Sequence, residues 1–300
     1  MNYLITGGTG FIGAALVEQL LQSGNSVTIL SRNKNPNSKA RTIRSFSEIG
    51  LDEKIEYVIN LAGEPIADKK WSQKQKAILL NSRLEITKQI VELIAKLNHK
   101  PSVLISASAI GFYGSNTDEE LDETSLHKTE FTHQLCHAWE LQALEAQAFG
   151  VRTCIIRLGV VLEKNGGALA KMLPAFKFGL GGKIASGKQF MSWVHREDVL
   201  SAISFLINSA KLSGVFNVTA PNPVRNSEFS KTLAKILHRP AFFDLPFFAV
   251  KILFGEMGEV LLASGQRVVP KNLLAAGFRF QFERLEDALK NICTNESKNN

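Results

Sequence analysis

Cysteine and tyrosine are scarce in this chain of 300 residues, which has three of each. The cysteines, Cys136, Cys154 and Cys293, form neither a C-x-x-C pair nor an even set. Neither a disulfide framework nor a zinc site built on cysteine pairs is supported, and a reducing cytoplasm is the compartment that fits this pattern.

The sequence also lacks a long apolar run. The most apolar stretch of its later part, Leu245 to Phe254, is interrupted by Lys251 and falls well short of the ~20 residues that cross a bilayer. A strand-like segment at Asn2 to Thr6 leaves no room before it for the charged and apolar parts of a signal peptide. We therefore expect neither a membrane span nor a signal peptide.

A clustered basic segment is missing as well. The formal net charge is +7, but the lysines and arginines are scattered rather than gathered into a run with interleaved aromatic residues. We therefore expect no nucleic-acid partner. A basic protein suits a ligand with several phosphates, although a mildly basic surface without a ligand is just as common.

Short apolar runs alternate with long amphipathic segments through the first half of the chain. The predicted strands and helices of this half are Tyr3 to Thr6, Phe11 to Gln22, Ser26 to Leu30, Tyr57 to Ala62, Gln73 to Leu97, Val103 to Ser108, Thr129 to Ala148 and Val151 to Leu158. Strands separated by helices predict an α/β fold with a Rossmann-type, doubly wound parallel sheet.

The alternation of apolar runs and amphipathic segments ends after Leu158, where several glycines break the chain into loops. Later segments predict a smaller α+β C-terminal lobe that contains a strand at Phe278 to Phe282. We expect a dinucleotide-binding domain over residues 1–220, with substrate-side loops from about 160, and a small domain over residues 240–294. Residues 295–300 are polar and are expected to form a disordered tail.

A glycine-rich turn directly follows the first predicted strand and opens an apolar helix. Its sequence, Gly7-Gly8-Thr9-Gly10-Phe11-Ile12-Gly13, satisfies both G-x-G-x-x-G and G-x-x-G-x-x-G. In that context the backbone N–H groups and the helix N-terminus face the pyrophosphate of a dinucleotide. The predicted cofactor contacts here are Gly7, Gly10, Phe11, Ile12 and Gly13.

The end of the second predicted strand distinguishes NAD from NADP. A carboxylate at this position binds the ribose 2′-hydroxyl of NAD, whereas an arginine accommodates the 2′-phosphate of NADP. Here Ser31 and Arg32 offer a hydroxyl and a guanidinium, and no carboxylate follows. The sequence therefore favours NADP(H), with a solvent-exposed loop arginine as the alternative for Arg32.

Further motifs make the chain resemble the extended short-chain dehydrogenase/reductases, and within them the atypical subgroup called epimerase family proteins. These motifs are Asn60-Leu-Ala-Gly-Glu64-Pro-Ile, Asn81-Ser82-Arg83, Ser106-Ala-Ser108, Phe112-Tyr113-Gly114, Trp139-Glu140, Arg157-Leu-Gly-Val-Val-Leu162, Gly179-Leu-Gly-Gly182, Ser192-Trp-Val-His195 and Gly265-Gln-Arg-Val-Val-Pro270. The resemblance covers nearly the whole chain and implies that the C-terminal domain is the family's own.

The resemblance also implies further cofactor contacts. Leu61, Ala62 and Gly63 would line the cofactor after the strand that ends near Asn60, and Ser106 would lie at the end of the next strand. Arg83 is implied as a second cofactor contact, with an exposed helix arginine as the alternative. The activity that the resemblance implies is that of an NADP-dependent oxidoreductase or a sugar-nucleotide epimerase.

The superfamily's Tyr-x-x-x-Lys pair is missing from this sequence. In such a pair the lysine lowers the tyrosine pKa from ~10, so that the phenol can transfer a proton near pH 7. The residues four positions after the three tyrosines are Gly7, Leu61 and Thr117. The usual serine position, four residues before the Tyr-Gly step, holds Ala109. Ser108 is then the best candidate for the serine, and Tyr113 is either an unconventional acid or a packing residue.

Other candidate groups lie further along the chain. His137 and Glu140 are three residues apart on one predicted helix, where they form either a proton relay or a solvent-facing pair. Trp193 and His195 face either the substrate cleft or the core, and Asp198 is expected to cap or orient the helix that starts there. Lys183 would border the cleft and suit the diphosphate of a nucleotide sugar.

Two functional hypotheses remain open from the sequence. The first is an NADP-dependent oxidoreductase or epimerase that acts on a small molecule, with a nucleotide sugar as one candidate substrate. The second is a non-catalytic NADP(H)-binding sensor, for which the missing pair is the argument. Neither the substrate nor the choice between monomer and homodimer is fixed by these residues.

Overall fold

A computed structural model describes residues 1–31, 39–115 and 118–294 of the chain. Its strands are β1 (Asn2–Thr6), β2 (Ser26–Leu30), β3 (Arg41–Ile43), β4 (Tyr57–Asn60), β5 (Val103–Ala109), β6 (Glu120–Leu121), β7 (Arg152–Leu158), β8 (Val160–Glu163), β9 (Phe190–Met191), β10 (Trp193–His195), β11 (Gly214–Val218), β12 (Val224–Arg225) and β13 (Arg267–Val268). Its helices are α1 (Gly13–Gln22), α2 (Gln73–Lys96), α3 (Phe131–Leu144), α4 (Gly167–Lys177), α5 (Arg196–Asn208), α6 (Asn226–Ile236), α7 (Phe247–Phe254), α8 (Glu256–Gly258), α9 (Lys271–Ala275) and α10 (Leu285–Thr294).

Seven strands form one parallel sheet in the order β11-β7-β5-β4-β1-β2-β3. The order reverses on either side of β1, so the chain winds outward in both directions and its helices cover both faces. This arrangement confirms the predicted doubly wound sheet. The carboxyl ends of β1, β4 and β5 therefore meet at one edge, where the glycine turn also lies.

Alternation along β1 shows how the two faces are filled. Tyr3 and Ile5 belong to the core on one face, whereas Leu4 belongs to the core on the other. The first core also contains α1 and α5 residues, and the second contains buried residues from the C-terminal half of α2. Because strands of a parallel sheet are covered on both faces, they are apolar almost throughout. Among the described residues, no helix is both long and apolar enough to span a membrane.

The predicted strand at Phe278 to Phe282 is wrong. This segment is irregular, although Phe278, Phe280 and Phe282 are buried. The carboxylate of Asp198 accepts hydrogen bonds from the backbone N–H groups of Gln281 and Phe282, at 2.7 and 3.0 Å. A carboxylate in the first turn of α5 thus accepts the backbone N–H groups that would otherwise donate to a neighbouring strand. The segment packs between the sheet domain and α10 as part of the smaller C-terminal region.

Candidate cofactor site

The glycine turn closes tightly on itself between β1 and α1. Gly10 N–H donates to the Gly7 carbonyl at 2.9 Å, and Gly7 has a φ of +70°. A Cβ at Gly7 would lie 2.6 Å from the Leu61 carbonyl group, and a Cβ at Gly13 would lie 2.1 Å from the Gly7 oxygen. Only glycine fits at these two positions. The turn therefore packs the N-terminus of α1 on Gly7, and Gly7 on the chain that leaves β4. A tight turn from a strand into a helix N-terminus is the arrangement that binds anions in dinucleotide folds.

Phe11 links this turn to the second half of the chain. Its ring packs against Gly166 and Gly167, where a Cβ at Gly166 would lie 2.2 Å from the ring. The guanidinium of Arg196 lies 5.6 Å from the centroid of the same ring and pairs with Glu163 at 2.9 Å. The loop between β8 and α4 therefore borders the glycine turn, and the close approach of the Phe11 ring accounts for glycine at positions 166 and 167.

The other backbone segments expected to hold the cofactor lie at the same edge of the sheet. Leu61 and Ala62 are half-buried beside Gly7, Ile12 is half-buried at the start of α1, and Gly63 is exposed. Ser31, also half-buried, follows β2 and donates its backbone N–H to Ile43 at 3.0 Å. Arg32, on which the choice of NADP depends, lies outside the described residues.

Arg83 is buried, so the alternative of an exposed helix arginine is wrong. Its guanidinium donates to the carbonyl groups of Leu79 and Glu64 at 2.9 and 3.0 Å, and it lies 5.2 Å from the Trp139 ring. Burial lowers the pKa of this guanidinium. A Cβ at Gly63 would lie 2.9 Å from Arg83 Cζ. Arg83 thus holds the loop after β4 through its hydrogen bond to the Glu64 carbonyl and its packing against Gly63. Its direct contact with a cofactor stays a prediction.

The Ser106 side chain is fully buried and belongs to a hydrogen-bond chain within the sheet. Thr6 Oγ1 donates to Asn60 Oδ1 at 2.7 Å, while Asn60 Nδ2 donates to Thr87 Oγ1 at 2.8 Å and to Ser106 Oγ at 3.3 Å. The Ser106 hydroxyl is thus used within the sheet, and a cofactor contact from Ser106 stays a prediction. These hydrogen bonds fix the ends of β1, β4 and β5 relative to one another.

A buried ion pair that the sequence analysis missed joins α3 to β7. Arg157 Nε and Nη2 donate to the two carboxylate oxygens of Glu140, each at 2.8 Å, and neither side chain is more than 6% exposed. Burial alone would lower the pKa of Arg157, but the hydrogen bonds and charge of Glu140 outweigh it and raise this pKa. Ser108 Oγ donates to Glu140 at 2.6 Å. The Ser108 hydroxyl is therefore bound within this cluster, and it is buried.

Tyr113 belongs to the same buried cluster. Its hydroxyl donates to Asn217 Oδ1 at 2.7 Å and accepts from Arg157 Nη1 at 3.1 Å. Burial raises the pKa of Tyr113 to about 12, although Arg157 and Asn217 oppose the shift. A phenol with such a pKa holds its proton near neutral pH. The geometry therefore favours the packing interpretation of Tyr113 over that of an unconventional acid.

The proposed relay between His137 and Glu140 does not form. His137 is exposed, whereas Glu140 points inward to Arg157, so the alternative of a solvent-facing pair is wrong for Glu140 as well. On the same helix, burial raises the pKa of the Cys136 thiol to about 11. Within the described ranges, Thr132 Oγ1 is buried and has no hydrogen-bond partner. α3 thus offers one unpaired hydroxyl and a protonated thiol where the sequence lacks Tyr and Lys.

Two of the three predicted substrate-side residues, Trp193 and His195, are buried on β10. Trp193 is fully buried and donates to the Asn222 carbonyl at 3.1 Å. His195 is also buried; its Nδ1 accepts from Glu197 N–H at 3.1 Å, which caps α5, and burial lowers its pKa to about 4. Both therefore occupy the core, which was the open alternative. Lys183 is partly exposed and paired with Asp244.

Comparisons with known proteins agree with this architecture. Residues 3–219 match the model of the NAD dependent epimerase/dehydratase family, and residues 245–292 match a domain of unknown function, DUF1731. The chain is 40% identical over 299 residues to the epimerase family protein YfhF of Bacillus subtilis, covering 97% of this chain and 98% of that protein.

Two solved structures extend the comparison. The human epimerase family protein SDR39U1, determined with NADPH, is 34% identical, with a TM-score of 0.90 over 98% of this chain and 100% of that one. A nucleoside-diphosphate sugar epimerase from Corynebacterium glutamicum is 28% identical, with a TM-score of 0.78 over 97% of this chain and 58% of that one. The chain belongs to the NAD-dependent epimerase/dehydratase family, as an epimerase family protein with a C-terminal DUF1731 domain.

Proposed function

We propose that this protein binds NADP(H) at the carboxyl edge of its sheet, with the pyrophosphate on the turn from Gly7 to Gly13. The observation that carries the proposal is the packing of the turn: Gly13, at the N-terminus of α1, lies directly against Gly7, and Gly7 lies against Leu61 and Ala62. Exposed amides at a helix N-terminus stabilise a phosphate through both hydrogen bonds and the helix dipole. The human relative determined with NADPH supports the same choice of ligand.

The preference for NADP over NAD rests on Ser31 and Arg32. We expect Arg32→Ala to raise the dissociation constant for NADPH by about 10- to 100-fold, because charge-assisted hydrogen bonds to a phosphate contribute roughly 1.5–3 kcal/mol. The constant for NADH should change less than about twofold, since NADH has no 2′-phosphate. Fluorescence titration with both cofactors measures each constant.

A matched control for this titration is Arg284→Ala, because Arg284 is an exposed arginine in the C-terminal region. Its dissociation constants should equal those of the unchanged protein. Equal affinities of the unchanged protein for NADPH and NADH would contradict the NADP assignment, as would an Arg32→Ala variant that binds NADPH normally.

We further propose that cofactor binding, rather than tyrosine-dependent epimerisation, is the function of this site. Ser108 is bound to Glu140, and Tyr113 holds its proton within the same buried cluster. Neither group is free to exchange a proton with a substrate oxygen near neutral pH. This arrangement favours the NADP(H)-binding sensor among the two hypotheses.

An NADP-dependent oxidoreductase or sugar-nucleotide epimerase remains the second candidate. Its support is the unpaired Thr132 hydroxyl on α3, the only buried Thr hydroxyl without a partner in the described parts of the chain, and the similarity to a nucleoside-diphosphate sugar epimerase. Against a nucleotide-sugar substrate stands the pairing of Lys183 with Asp244, which neutralises a cation that would otherwise bind a diphosphate.

One assay separates these two candidates. The protein is incubated with NADPH or NADP and a panel of carbonyl compounds and nucleotide sugars, while nicotinamide absorbance and epimer exchange are followed. We expect saturable NADPH binding without turnover. Turnover that is lost in Thr132→Val or Ser108→Ala, with NADPH binding intact, would instead establish the enzyme.

A further inference from the structure

Arg196, the first residue of α5, lies beside the glycine turn although the two are far apart in the sequence. Its guanidinium carbon, Cζ, is 5.6 Å from the centroid of the Phe11 ring. Phe11 is itself a residue of the turn, between Gly10 and Ile12. Because an arginine keeps its charge at any ordinary pH, a permanent positive charge is held against this turn.

The position of the guanidinium is fixed from two sides. The Phe11 ring on which it rests packs against Gly166 in the loop between β8 and α4. On the other side, Arg196 Nη2 pairs with Glu163 Oε2 at 2.9 Å, and Glu163 Oε1 accepts a hydrogen bond from Lys164 N–H at 2.6 Å. Since the guanidinium is already held in place, a ligand that binds it does not have to immobilise it.

Most N–H groups of this guanidinium have no acceptor. An arginine has five N–H donors, and Glu163 is the only acceptor that Arg196 contacts in residues 1–31, 39–115 and 118–294. Its Nε is buried without a hydrogen-bond partner in these ranges. The side chain is nevertheless 26% exposed, so part of the guanidinium is accessible. An unpaired buried donor destabilises the structure, and a ligand that supplies acceptors beside it is therefore favoured.

Two backbone donors of the turn are open as well. The N–H groups of Phe11 and Ile12 bind no acceptor in the described part of the chain, whereas those of Gly10 and Ala14 do. Amides at a helix N-terminus attract a phosphate, but together they supply only about half of an elementary charge. The turn itself contains no basic residue, so a full positive charge beside it has to come from another element. Arg196 is in contact with the turn and supplies that charge.

The stability of α5 does not account for an arginine at this position. The N-terminus of a helix is the positive end of its dipole, so a cation in the first turn is unfavourable there. The charges in this turn that stabilise the helix are those of Glu197 and Asp198. Arg196 therefore depends on anions outside α5, and Glu163 is the one that the described chain supplies.

From these contacts we propose that Arg196 binds the pyrophosphate of the dinucleotide, together with the open N–H groups of Phe11 and Ile12. This inference rests on the proposed function, because it concerns the same cofactor site. The guanidinium donates to pyrophosphate oxygens while Glu163 keeps it on the Phe11 ring. NADPH and NADH both contain a pyrophosphate. Arg196 therefore contributes to the affinity for either cofactor and not to the choice between them, which depends on Arg32.

Calorimetric titration of the full chain with NADPH, NADH and 2′-AMP tests this inference. 2′-AMP has the adenosine and the 2′-phosphate of NADPH but lacks the pyrophosphate. We expect Arg196→Met to raise the dissociation constants for NADPH and NADH by the same factor, roughly tenfold or more, because a charge-assisted hydrogen bond is lost. The constant for 2′-AMP should change less than about twofold, which also shows that the variant is folded. Arg196→Lys keeps the charge and should bind both cofactors more tightly than Arg196→Met.

Arg267→Met is the matched control. Arg267 also pairs with a glutamate, Glu120 at 3.2 Å, and also lies beside a phenylalanine ring, that of Phe190 at 5.5 Å, but it is on β13. Its dissociation constants for all three ligands should equal those of the unchanged protein.

The inference is overturned if Arg196→Met binds NADPH as tightly as Arg267→Met does. It is equally overturned if Arg196→Met loses affinity for 2′-AMP by the same factor as for NADPH, or if it loses affinity for NADPH and not for NADH, because the loss then does not arise at the pyrophosphate. An unchanged protein that binds neither cofactor would contradict the proposed function itself, and this inference with it.

Discussion

Replacing Arg157 by methionine is expected to lower the free energy of unfolding by about 3–5 kcal/mol. The substitution leaves the Glu140 carboxylate buried, with Ser108 as its remaining side-chain donor among those described here. An uncompensated charge in the interior destabilises the folded state by far more than the apolar contacts of the methionine stabilise it. Urea unfolding of the unchanged protein and of Arg157→Met measures the difference in the free energy of unfolding. The comparison holds if the free energy falls with urea concentration at the same slope in both proteins.

The fold should tolerate the loss of both Glu140 and Arg157 better than the loss of Arg157 alone. Replacing both members, as Glu140→Leu/Arg157→Met, removes both charges, and the double variant should recover to within about 2 kcal/mol of the unchanged protein. The remaining deficit has a source in Ser108, whose hydroxyl then lacks its acceptor. Non-additivity of this kind identifies direct coupling between the two side chains.

The exposed pair of Lys88 and Glu92, 3.9 Å apart on α2, provides the control. Lys88→Met should change the free energy of unfolding by less than about 0.5 kcal/mol, because exposed ion pairs contribute little. A cost for Arg157→Met as small as that of Lys88→Met would contradict the buried, uncompensated charge on which the prediction depends.

The sheet could be predicted because its signals are local. β2 has the bounds that the apolar run predicts, and α2 ends one residue before the predicted end, since strand and helix periods are visible within each segment. The strand at Phe278 to Phe282 was wrong for the opposite reason. Buried and exposed side chains alternate in an extended segment whether or not it pairs with a strand, and here the distant carboxylate of Asp198 accepts the N–H groups of Gln281 and Phe282.

The buried cluster at the site could not be predicted from spacing alone. Glu140 looked like a partner of His137 because the two are three residues apart, but its real partner is on another element. A signal was present, however, in Arg157 itself. An arginine within the apolar run of β7 must be paired if it is buried, and the carboxylates of the adjacent helix were the nearest choice. Only the structure shows that Ser108 and Tyr113 join the same cluster.

The second large effect is expected in the glycine turn, where alanine at Gly10 and alanine at Gly13 should impair the protein for different reasons. Gly10 is exposed, and a Cβ there would touch only the Gly7 oxygen, at 3.2 Å. We expect Gly10→Ala to change the free energy of unfolding by less than about 1 kcal/mol, yet to weaken NADPH binding at least about thirtyfold, since the pyrophosphate approaches the backbone at this glycine. Gly50→Ala, with open space around its Cβ, should alter neither quantity.

Gly13→Ala should damage the fold and the site together. Its Cβ would lie 2.1 Å from the Gly7 oxygen, so the start of α1 must move away from β1, at a cost of about 1–3 kcal/mol of stability. Calorimetric titration with NADPH, combined with urea unfolding, separates the two variants. If Gly10→Ala binds NADPH as tightly as Gly50→Ala, the pyrophosphate does not lie on this turn. If Gly10→Ala loses binding while its stability is intact, the loss arises at the ligand and not in the fold.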